Sequence, residues 1–329
     1  MPRLTEPFLR ELARRALAAY DIDPDALAEV LSTGNNASFA VRTGAAEPLV
    51  LRIHRPGYRT AEESRSELQF LQYIREPLAR EGVQVPHPVT TSAGDLVVES
   101  TVDGITRHCD LNSWVDGRVL VPGDGLDFAA TRRLGRSLGV LHNVSADFGR
   151  PEGIDLPDWD AAGMFTVAGS PFRPLHPLED ILSAEDLTLF REIGERAGEI
   201  FAQLDSGLIH VDYILGNCLV AGGTIGIIDF DDCGYGCYLY DLCPLLGNLA
   251  GYPGAIYDNP EFPAFRKEFL AGYRTVRDLP GEWEPYLPVL MAARHANHAL
   301  LTSGQDVSET HREDAAWRMQ LARRCLELR

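Results

Sequence analysis

The sequence contains one lysine, Lys267, among its 30 basic residues, so that the other 29 are arginines. Any chemistry that needs a lysine must use Lys267 or replace it with an arginine. The sequence also lacks the G-x-x-x-x-G-K-[ST] loop, which excludes a nucleoside triphosphatase of that type. The G-x-S-x-G motif of one large class of hydrolases is missing as well.

Cysteine is scarce, with six residues in a chain of 329. This is too few for a scaffold held by disulfides. Cys233, Cys237 and Cys243 lie close together, but their C-x3-C-x5-C spacing lacks the C-x-x-C pair typical of a zinc site. We therefore expect buried or partly buried free thiols in a reducing compartment.

Long apolar stretches and an excess of positive charge are both missing. No segment approaches the ~20 apolar residues that cross a bilayer, and the segment 1–6 does not lead into the apolar core of a signal peptide. Acidic residues outnumber basic ones 48 to 30, giving a net charge of −18. A nucleic-acid-binding protein needs a basic face. We expect a cytoplasmic protein with neither membrane nor nucleic acid as partner, and the sequence leaves its oligomeric state open.

What is present is an ordinary globular composition, with 45% hydrophobic and 24% charged residues. Apolar spacing predicts an α+β protein: a small lobe with an antiparallel sheet over residues 1–115, then a larger, mainly helical lobe over residues 116–329. A cleft is expected between the lobes. The predicted helices cover residues 8–20, 60–80, 128–143 and 183–204, and the predicted strands cover residues 29–41 (as a hairpin), 49–53, 95–99, 105–114 and parts of 208–230.

One segment carries most of the chemistry. It reads H-x-D-x-x-x-x-N from His210 to Asn217, followed by I-I-D-F-D with Asp229 at the end of an apolar run. Phosphoryl transfer requires a carboxylate that accepts or orients the attacking hydroxyl. It also requires a second carboxylate and an amide oxygen for magnesium ions that bridge the phosphates. Asp212, Asn217 and Asp229 supply these three groups at a suitable spacing.

The complete pattern G-L-I-H…D…N…I-I-D-F-D-D…G-Y-G…Y-D-L resembles the catalytic core of the aminoglycoside phosphotransferase and choline kinase superfamily, which is related to the protein kinases. The resemblance implies a bilobal protein-kinase-like fold and an enzyme that uses ATP and Mg²⁺. It implies Asp212 as catalytic base and Asn217 and Asp229 as magnesium ligands. It further implies that His210 braces the loop and that Asp241 hydrogen-bonds back to it.

Outside this core the resemblance is weaker, but it implies a nucleotide site in the small lobe. A hairpin covers the nucleotide, a strand supplies the cation for the phosphates, a helix supplies the partner of that cation, and the lobe connector binds adenine through its backbone. The residues at these positions are Ser32, Gly34, Asn35, Asn36 and Ser38 (hairpin), Arg52 (cation), Glu67 (its partner), and Ser113, Trp114 and Val115 (connector).

Two residues depart from the family pattern. Arg52 stands where most relatives have lysine; arginine keeps the charge and can bind phosphate with two donors. The alternative is a surface arginine with a weakened grip on phosphate. Val211 stands where relatives have glycine, and a β-branched residue there is expected to have negative φ. Either the loop accepts this, or its geometry is altered. The second case keeps open a nucleotide-binding regulator without turnover.

The acceptor is the least determined part. The resemblance implies a small-molecule hydroxyl, often on an amine, and the acidic chain would attract a cationic acceptor. A protein Ser/Thr kinase is the alternative with the same chemistry. Tyr235, Tyr257, Asp258, Trp283 and Tyr286 are candidate acceptor residues, with core packing as the alternative for the aromatic ones. His295 and His298 have a spacing that can hold a metal, but a role on the helix surface or in the substrate cleft is favoured.

Overall fold

The computed structural model describes residues 5–33, 36–44, 47–121, 126–252, 258–302 and 308–328. Three residues singled out from the sequence, Gly34, Asn35 and Tyr257, lie outside these ranges. The fold is α+β, with an antiparallel sheet in the N-terminal part and a mainly helical C-terminal part. This confirms the predicted fold class. The boundary predicted after residue 115 stays a prediction.

The N-terminal part is built around an antiparallel sheet. Its elements are α1 (Glu6–Leu17), β1 (Leu27–Thr33), β2 (Ala37–Val41), β3 (Leu49–Ile53), α2 (Ala61–Arg80), β4 (Val83–Gln84), β5 (Pro88–Val89), β6 (Val98–Val102) and β7 (Ile105–Ser113). The sheet order is β1-β2-β3-β7-β5, with β6 paired to β7. In the β3–β7 register, Arg52 lies opposite Asp110 and Val50 lies opposite Asn112.

Helix α2 is the helix inserted into this sheet. It begins with a capping box in which Thr60 and Glu63 bond each other's backbone. Its buried face carries the predicted apolar residues, among them Leu68, Leu71 and Ile74, and also Glu67. The cap and the apolar face together fix the rotation of the helix, and with it the direction of Glu67.

The C-terminal part consists of helices with short strands between them. Its elements are β8 (Arg118–Val119), α3 (Phe128–Phe148), β9 (Asp158–Trp159), α4 (Ala161–Phe165), α5 (Ala184–Phe201), β10 (Ser206–Ile209), β11 (Cys218–Ala221), β12 (Thr224–Ile227), β13 (Gly234–Cys237), α6 (Cys243–Leu249), α7 (Phe262–Tyr273), α8 (Leu287–Thr302) and α9 (Glu309–Leu326). Helices α3 and α7 pack backbone to backbone at two glycines. A Cβ atom on Gly135 would lie 1.8 Å from the carbonyl oxygen of Phe269, and one on Gly272 would lie 1.9 Å from that of Arg132.

The β11–β12 hairpin brings the two ends of the chemistry-bearing segment together. Cys218 pairs with Ile227, and the backbone N–H of Ile228 donates to the carbonyl oxygen of Asn217 at 3.0 Å. Asn217 and Asp229 therefore lie at the same end of the hairpin, although eleven residues separate them.

Two predictions from what the sequence lacks can be compared with the fold. All six cysteines are buried and free, which confirms the expectation of buried thiols. Among the described residues, no helix combines the length and apolar character that crossing a bilayer requires.

Candidate active site

A cavity of about 630 Å³ lies between the sheet and the catalytic segment, within the size range of small-ligand sites. It brings together the sequence-predicted nucleotide, catalytic and metal residues that the structure describes. Those that line it are Ser32, Asn36, Ser38, Arg52, Glu67, Ser113, Trp114, Val115, Asp212, Asn217 and Asp229. Gly34 and Asn35 lie outside the described residues.

Asp212 is held by two donors. Its Oδ1 accepts from Nη2 of Arg294 at 2.5 Å, and its Oδ2 accepts from Nδ2 of Asn217 at 3.0 Å. Arg294 also donates through Nη1 to the carbonyl oxygen of Val211 at 2.8 Å. The carboxylate is thus fixed in direction before any ligand binds.

Arg294 is not among the residues singled out from the sequence. The available signal was a single arginine in the apolar run of α8, between Ala293 and His295. A charged side chain on a buried helix must be paired. That argument predicts an acidic partner for Arg294, but does not say which one.

His210 and Asp241 lie behind the cavity, where they support the loop. Asp241 is fully buried and accepts from the backbone N–H groups of His210 and Val211, at 2.9 and 2.6 Å. It also bonds Nε2 of His142 at 3.0 Å. Burial alone would raise the pKa of Asp241, but the bond to His142 holds it below its ordinary value. His210 in turn meets the carbonyl oxygen of Ile228 at 3.1 Å.

The expectation of a negative φ at Val211 is wrong. Val211 has a φ of +70°, in the left-handed region, and Asp229 has a φ of +64°. A left-handed conformation costs a residue with a Cβ atom roughly 1–2 kcal/mol. The bonds from Asp241 and Arg294 to the backbone of Val211 hold it there, as is typical of strained residues at functional sites.

The cavity floor carries an excess of carboxylates. The side chain of Asp229 opens to the cavity and forms no ion pair within the described part of the chain. Desolvation by the protein around the cavity, and the charges of Asp231 and Asp212, raise its pKa. Oδ1 of Asp231 is buried and, among the described residues, has no hydrogen-bond partner.

These donors fit a hard divalent cation. Because Nδ2 of Asn217 donates to Asp212, the amide oxygen of Asn217 faces away from that carboxylate. One amide oxygen and the carboxylates of Asp229 and Asp231 form the oxygen-only set that Mg²⁺ prefers. A cation here would also relieve the repulsion between the carboxylates.

Arg52 is not a surface residue, because its side chain is only 13% exposed. Its Nη1 donates to Glu67 at 2.9 Å, and its Nε donates to Oδ1 of Asp110 at 3.0 Å. Its Nη2 is buried and has no partner in the described ranges, which leaves one donor for a ligand. Burial alone would raise the pKa of Asp110, but Arg52 and His54 lower it to about 2. Lys267, on α7, is exposed and does not line the cavity.

The lobe connector is anchored on both sides. The N–H of Ser113 donates to the carbonyl oxygen of His87 at 2.8 Å, and the N–H of Trp114 donates to that of Pro48 at 3.2 Å. Oγ of Ser113 accepts from the N–H of His87 at 2.9 Å. The backbone N–H groups of Ser113 and Trp114 are therefore not open to a nucleotide base.

A further link, missed from the sequence, joins the small lobe to the acidic segment. Arg59, which follows β3, donates to the carbonyl oxygen of Asp231 at 2.9 Å and to Oδ1 of Asp232 at 3.0 Å. The hydroxyl of Tyr58 donates to the same Asp232 oxygen. Asp232 thus has hydrogen-bond partners of its own, whereas none is found for Asp229 among the described residues.

The candidate acceptor residues that the structure describes do not line this cavity. Tyr235, Asp258, Trp283 and Tyr286 are not among its lining residues, and Tyr257 lies outside the described part. The guanidinium of Arg150 covers Tyr235 at 3.7 Å, and Trp283 is buried. Packing is the better interpretation for these two.

The two histidines of α8 do not form a metal site. His295 is buried rather than on the helix surface, and its ring lies 5.0 Å from that of Tyr252. Nδ1 of His298 meets Nη1 of Arg318 at 3.1 Å. Within the described ranges, no group of three potential His, Cys, Asp or Glu ligands is found.

The fold and the site define a kinase-like phosphotransferase. A model of the phosphotransferase enzyme family matches residues 7–286, and the chain belongs to that family. Homoserine kinase of Neisseria meningitidis serogroup B is 29% identical over 229 residues, covering 69% of this chain and 68% of that protein. Amicoumacin kinase of Bacillus subtilis is 24% identical over 263 residues, covering 76% and 72%.

Solved structures that are similar to this chain are also kinases. A microcompartment-associated aminopropanol kinase has a TM-score of 0.74 and 26% identity, covering 96% of this chain and 94% of that one. An amicoumacin kinase solved in complex with AMP-PNP, Ca²⁺ and Ami has a TM-score of 0.76 at 20% identity, covering 98% and 94%, which supports the fold. The chain is a small-molecule phosphotransferase with an alcohol group as acceptor.

Proposed function

We propose that this enzyme transfers the γ-phosphoryl group of ATP, with Mg²⁺, to a hydroxyl of a small amine-bearing molecule. The observation that carries the proposal is the meeting of Asp212, Asn217 and Asp229 in one cavity with Arg52. These groups correspond to the base, the metal ligands and the phosphate-binding cation of phosphoryl transfer.

In this proposal Asp212 orients the acceptor hydroxyl and accepts its proton. A base must lie within hydrogen-bond reach of the proton that it removes, so its direction matters as much as its pKa. Arg294 and Asn217 each bind one oxygen of the carboxylate and fix that direction. Both are thus positioning residues for the base.

The phosphates of the nucleotide are bound from two sides. Arg52 presents Nη2 from the sheet, and Ser32, Asn36 and Ser38 line the cavity from the hairpin. Asn217 and Asp229 would hold Mg²⁺, with Asp231 as a further carboxylate. When bound, the ion supplies positive charge that offsets the charge developing on the phosphate oxygens.

Two observations support an amine on the acceptor. The names of the homoserine and aminopropanol kinases denote small molecules with both an amine and a hydroxyl. Beside Asp212, the carboxylates of Asp229, Asp231 and Asp232 line the same cavity and attract positive charge. Nothing in the comparisons favours a protein kinase.

A substrate panel tests the proposal. Amino alcohols, hydroxy amino acids and aminoglycosides are assayed with MgATP by coupled detection of ADP, for the wild type, Asp212→Ala and Asp205→Ala. Removing a general base lowers kcat by about 10²–10⁴. Asp205 is exposed and does not line the cavity, so Asp205→Ala is expected to match the wild type.

Three outcomes would contradict the proposal. Unchanged turnover in Asp212→Ala would remove Asp212 from the mechanism. Magnesium-dependent ATP binding without any acceptor and without ATPase activity would favour a regulator instead. Label from [γ-³²P]ATP that appears in the protein bands of a cell lysate, and not in small molecules, would favour a protein kinase.

A further inference from the structure

One polar oxygen beside the connector has no partner. Asn112 is only 4% exposed, and it lines the cavity. Its Nδ2 donates to Oδ1 of Asp110, while its own Oδ1 is buried and has no hydrogen-bond partner among the described residues. A buried acceptor without a donor costs free energy, so a ligand that supplies the donor gains affinity.

The neighbouring carboxylate determines which way the amide points. The pKa of Asp110, about 2, keeps it ionised, so it only accepts hydrogen bonds. If the amide of Asn112 were turned over, its oxygen would face this carboxylate and both would be acceptors. Asp110 is itself fixed by Arg52 at 3.0 Å and by Nε2 of His54 at 2.6 Å. Oδ1 of Asn112 therefore points away from Asp110.

The strand register places this oxygen at the base end of the cavity. Asn112 immediately precedes Ser113, the first connector residue, and lies opposite Val50, which also lines the cavity. Arg52 and Asp110, two pairs further along the same strands, mark the phosphate end. One hydrogen-bonded chain thus runs from the phosphate-binding cation through Asp110 to Asn112.

We infer that Asn112 selects the purine base of the phosphoryl donor. Its Oδ1 accepts a hydrogen bond from the 6-amino group of adenine, whereas the 6-carbonyl of guanine would set one acceptor against another. The donor is then ATP rather than GTP. This inference rests on the proposed function, because it requires a purine nucleotide in this cavity. A site built to hydrogen-bond one group discriminates strongly against an analogue that lacks it.

Nucleotide analogues test the inference at the level of one functional group. The magnesium complexes of ATP, of purine riboside triphosphate (which lacks the 6-amino group) and of GTP are titrated into the wild type and Asn112→Leu. The wild type is expected to bind ATP at least ~10-fold more tightly than either of the others. In Asn112→Leu the affinity for ATP, divided by the affinity for purine riboside triphosphate, is expected to fall to about 1–3.

The ratio separates recognition from folding. Any general damage to the fold in Asn112→Leu weakens the binding of all three nucleotides equally and leaves the ratio of their affinities unchanged. Thr106→Ala, an exposed change on the same strand and away from the cavity, is the control and is expected to keep the wild-type ratio. The wild-type ratio itself needs no variant, so the test survives if Asn112→Leu fails to fold.

Each remaining outcome has a definite meaning. Equal binding of ATP and purine riboside triphosphate by the wild type, or tighter binding of GTP, would overturn the inference. A wild-type ratio that persists in Asn112→Leu would also overturn it, because the preference would then come from the connector backbone. Failure of all three nucleotides to bind would contradict the proposed function as well, and so differs from a failure of the inference alone.

Discussion

The two sides of the cavity differ in whether their charged side chains have partners of opposite charge. On the sheet side, Arg52 is paired with both Asp110 and Glu67, and the pKa of Asp110 is lowered to about 2. On the floor, Asp229 forms no ion pair within the described part of the chain, and its pKa is raised. The buried aspartate beside Arg52 and the aspartate on the cavity floor thus have pKa shifts of opposite sign.

The difference shows which parts of the site are complete within the protein. The sheet side carries its own counter-charges, and in the proposed function it binds the phosphates through Arg52. The floor stores unrelieved carboxylate repulsion and backbone strain, with both Val211 and Asp229 at positive φ. We infer that the floor is completed by a cation that arrives with the nucleotide.

The largest expected effect comes from breaking the paired side. Arg52→Ala would leave Glu67 buried without a counter-charge and Asp110 with only His54, at a cost of about 3–5 kcal/mol in unfolding free energy. Arg52→Lys keeps the charge but loses the planar fork, so a smaller loss is expected. Urea denaturation measures both variants.

The control for Arg52 is an arginine whose ion pair is exposed. Arg42 pairs with Glu29 at the surface, where both side chains are at least half exposed, and Arg42→Ala is expected to leave the unfolding midpoint unchanged. If Arg52→Ala were as stable as Arg42→Ala and bound ATP normally, the paired side would not have the role given to it here.

A second, smaller effect concerns the strain of the floor. Because Val211 has positive φ, Val211→Gly is expected to be more stable than Val211→Ala by about 1 kcal/mol. Both variants lose the buried side chain, so the difference between them reports the backbone. Val220, on β11, lacks a positive φ, and there the alanine variant is expected to be the more stable one. The same order at both positions would contradict the strain.

The smallest effect is the charge of Asp229 in the metal-free protein. Its raised pKa means that the folded state binds a proton more tightly than the unfolded state, so this group's contribution to stability is lost as pH rises through the folded-state pKa. In Asp229→Asn this loss of stability does not occur, because the asparagine side chain does not ionise. Water in the open cavity screens the charge, so at pH 8 in EDTA we expect Asn to stabilise by only about 0.5–1 kcal/mol. Curves of unfolding free energy against pH that run parallel for the wild type and Asp229→Asn would contradict this expectation.

The sequence predicted the parts of the site that depend on local order. Asp212 and Asn217 are five residues apart in one loop, and the short β11–β12 hairpin brings Asp229 beside them, so the motif already contained their geometry. The helical spacing of Leu68, Leu71, Ile74 and Leu78 likewise made α2 predictable.

The missed residues depend on contacts far apart in the chain. Asp110 meets Arg52 across 58 positions, and Arg294 meets Asp212 across 82. Neither the β3–β7 register nor the rotation of α8 can be read from one sequence. The φ of Val211 has the opposite sign to the one predicted, because the hydrogen bond that its N–H donates to Asp241 overrides the intrinsic preference of valine.

The magnesium dependence of ATP binding tests the central claim most directly. Calorimetric titration of ATP into the wild type and Asp229→Asn, each with Mg²⁺ and with EDTA, separates the two sides of the cavity. We expect Mg²⁺ to strengthen ATP binding at least ~10-fold in the wild type and much less in Asp229→Asn, since one of the two liganding carboxylates is gone. ATP affinity that is independent of Mg²⁺ in the wild type, or equally dependent on it in both proteins, would contradict the account.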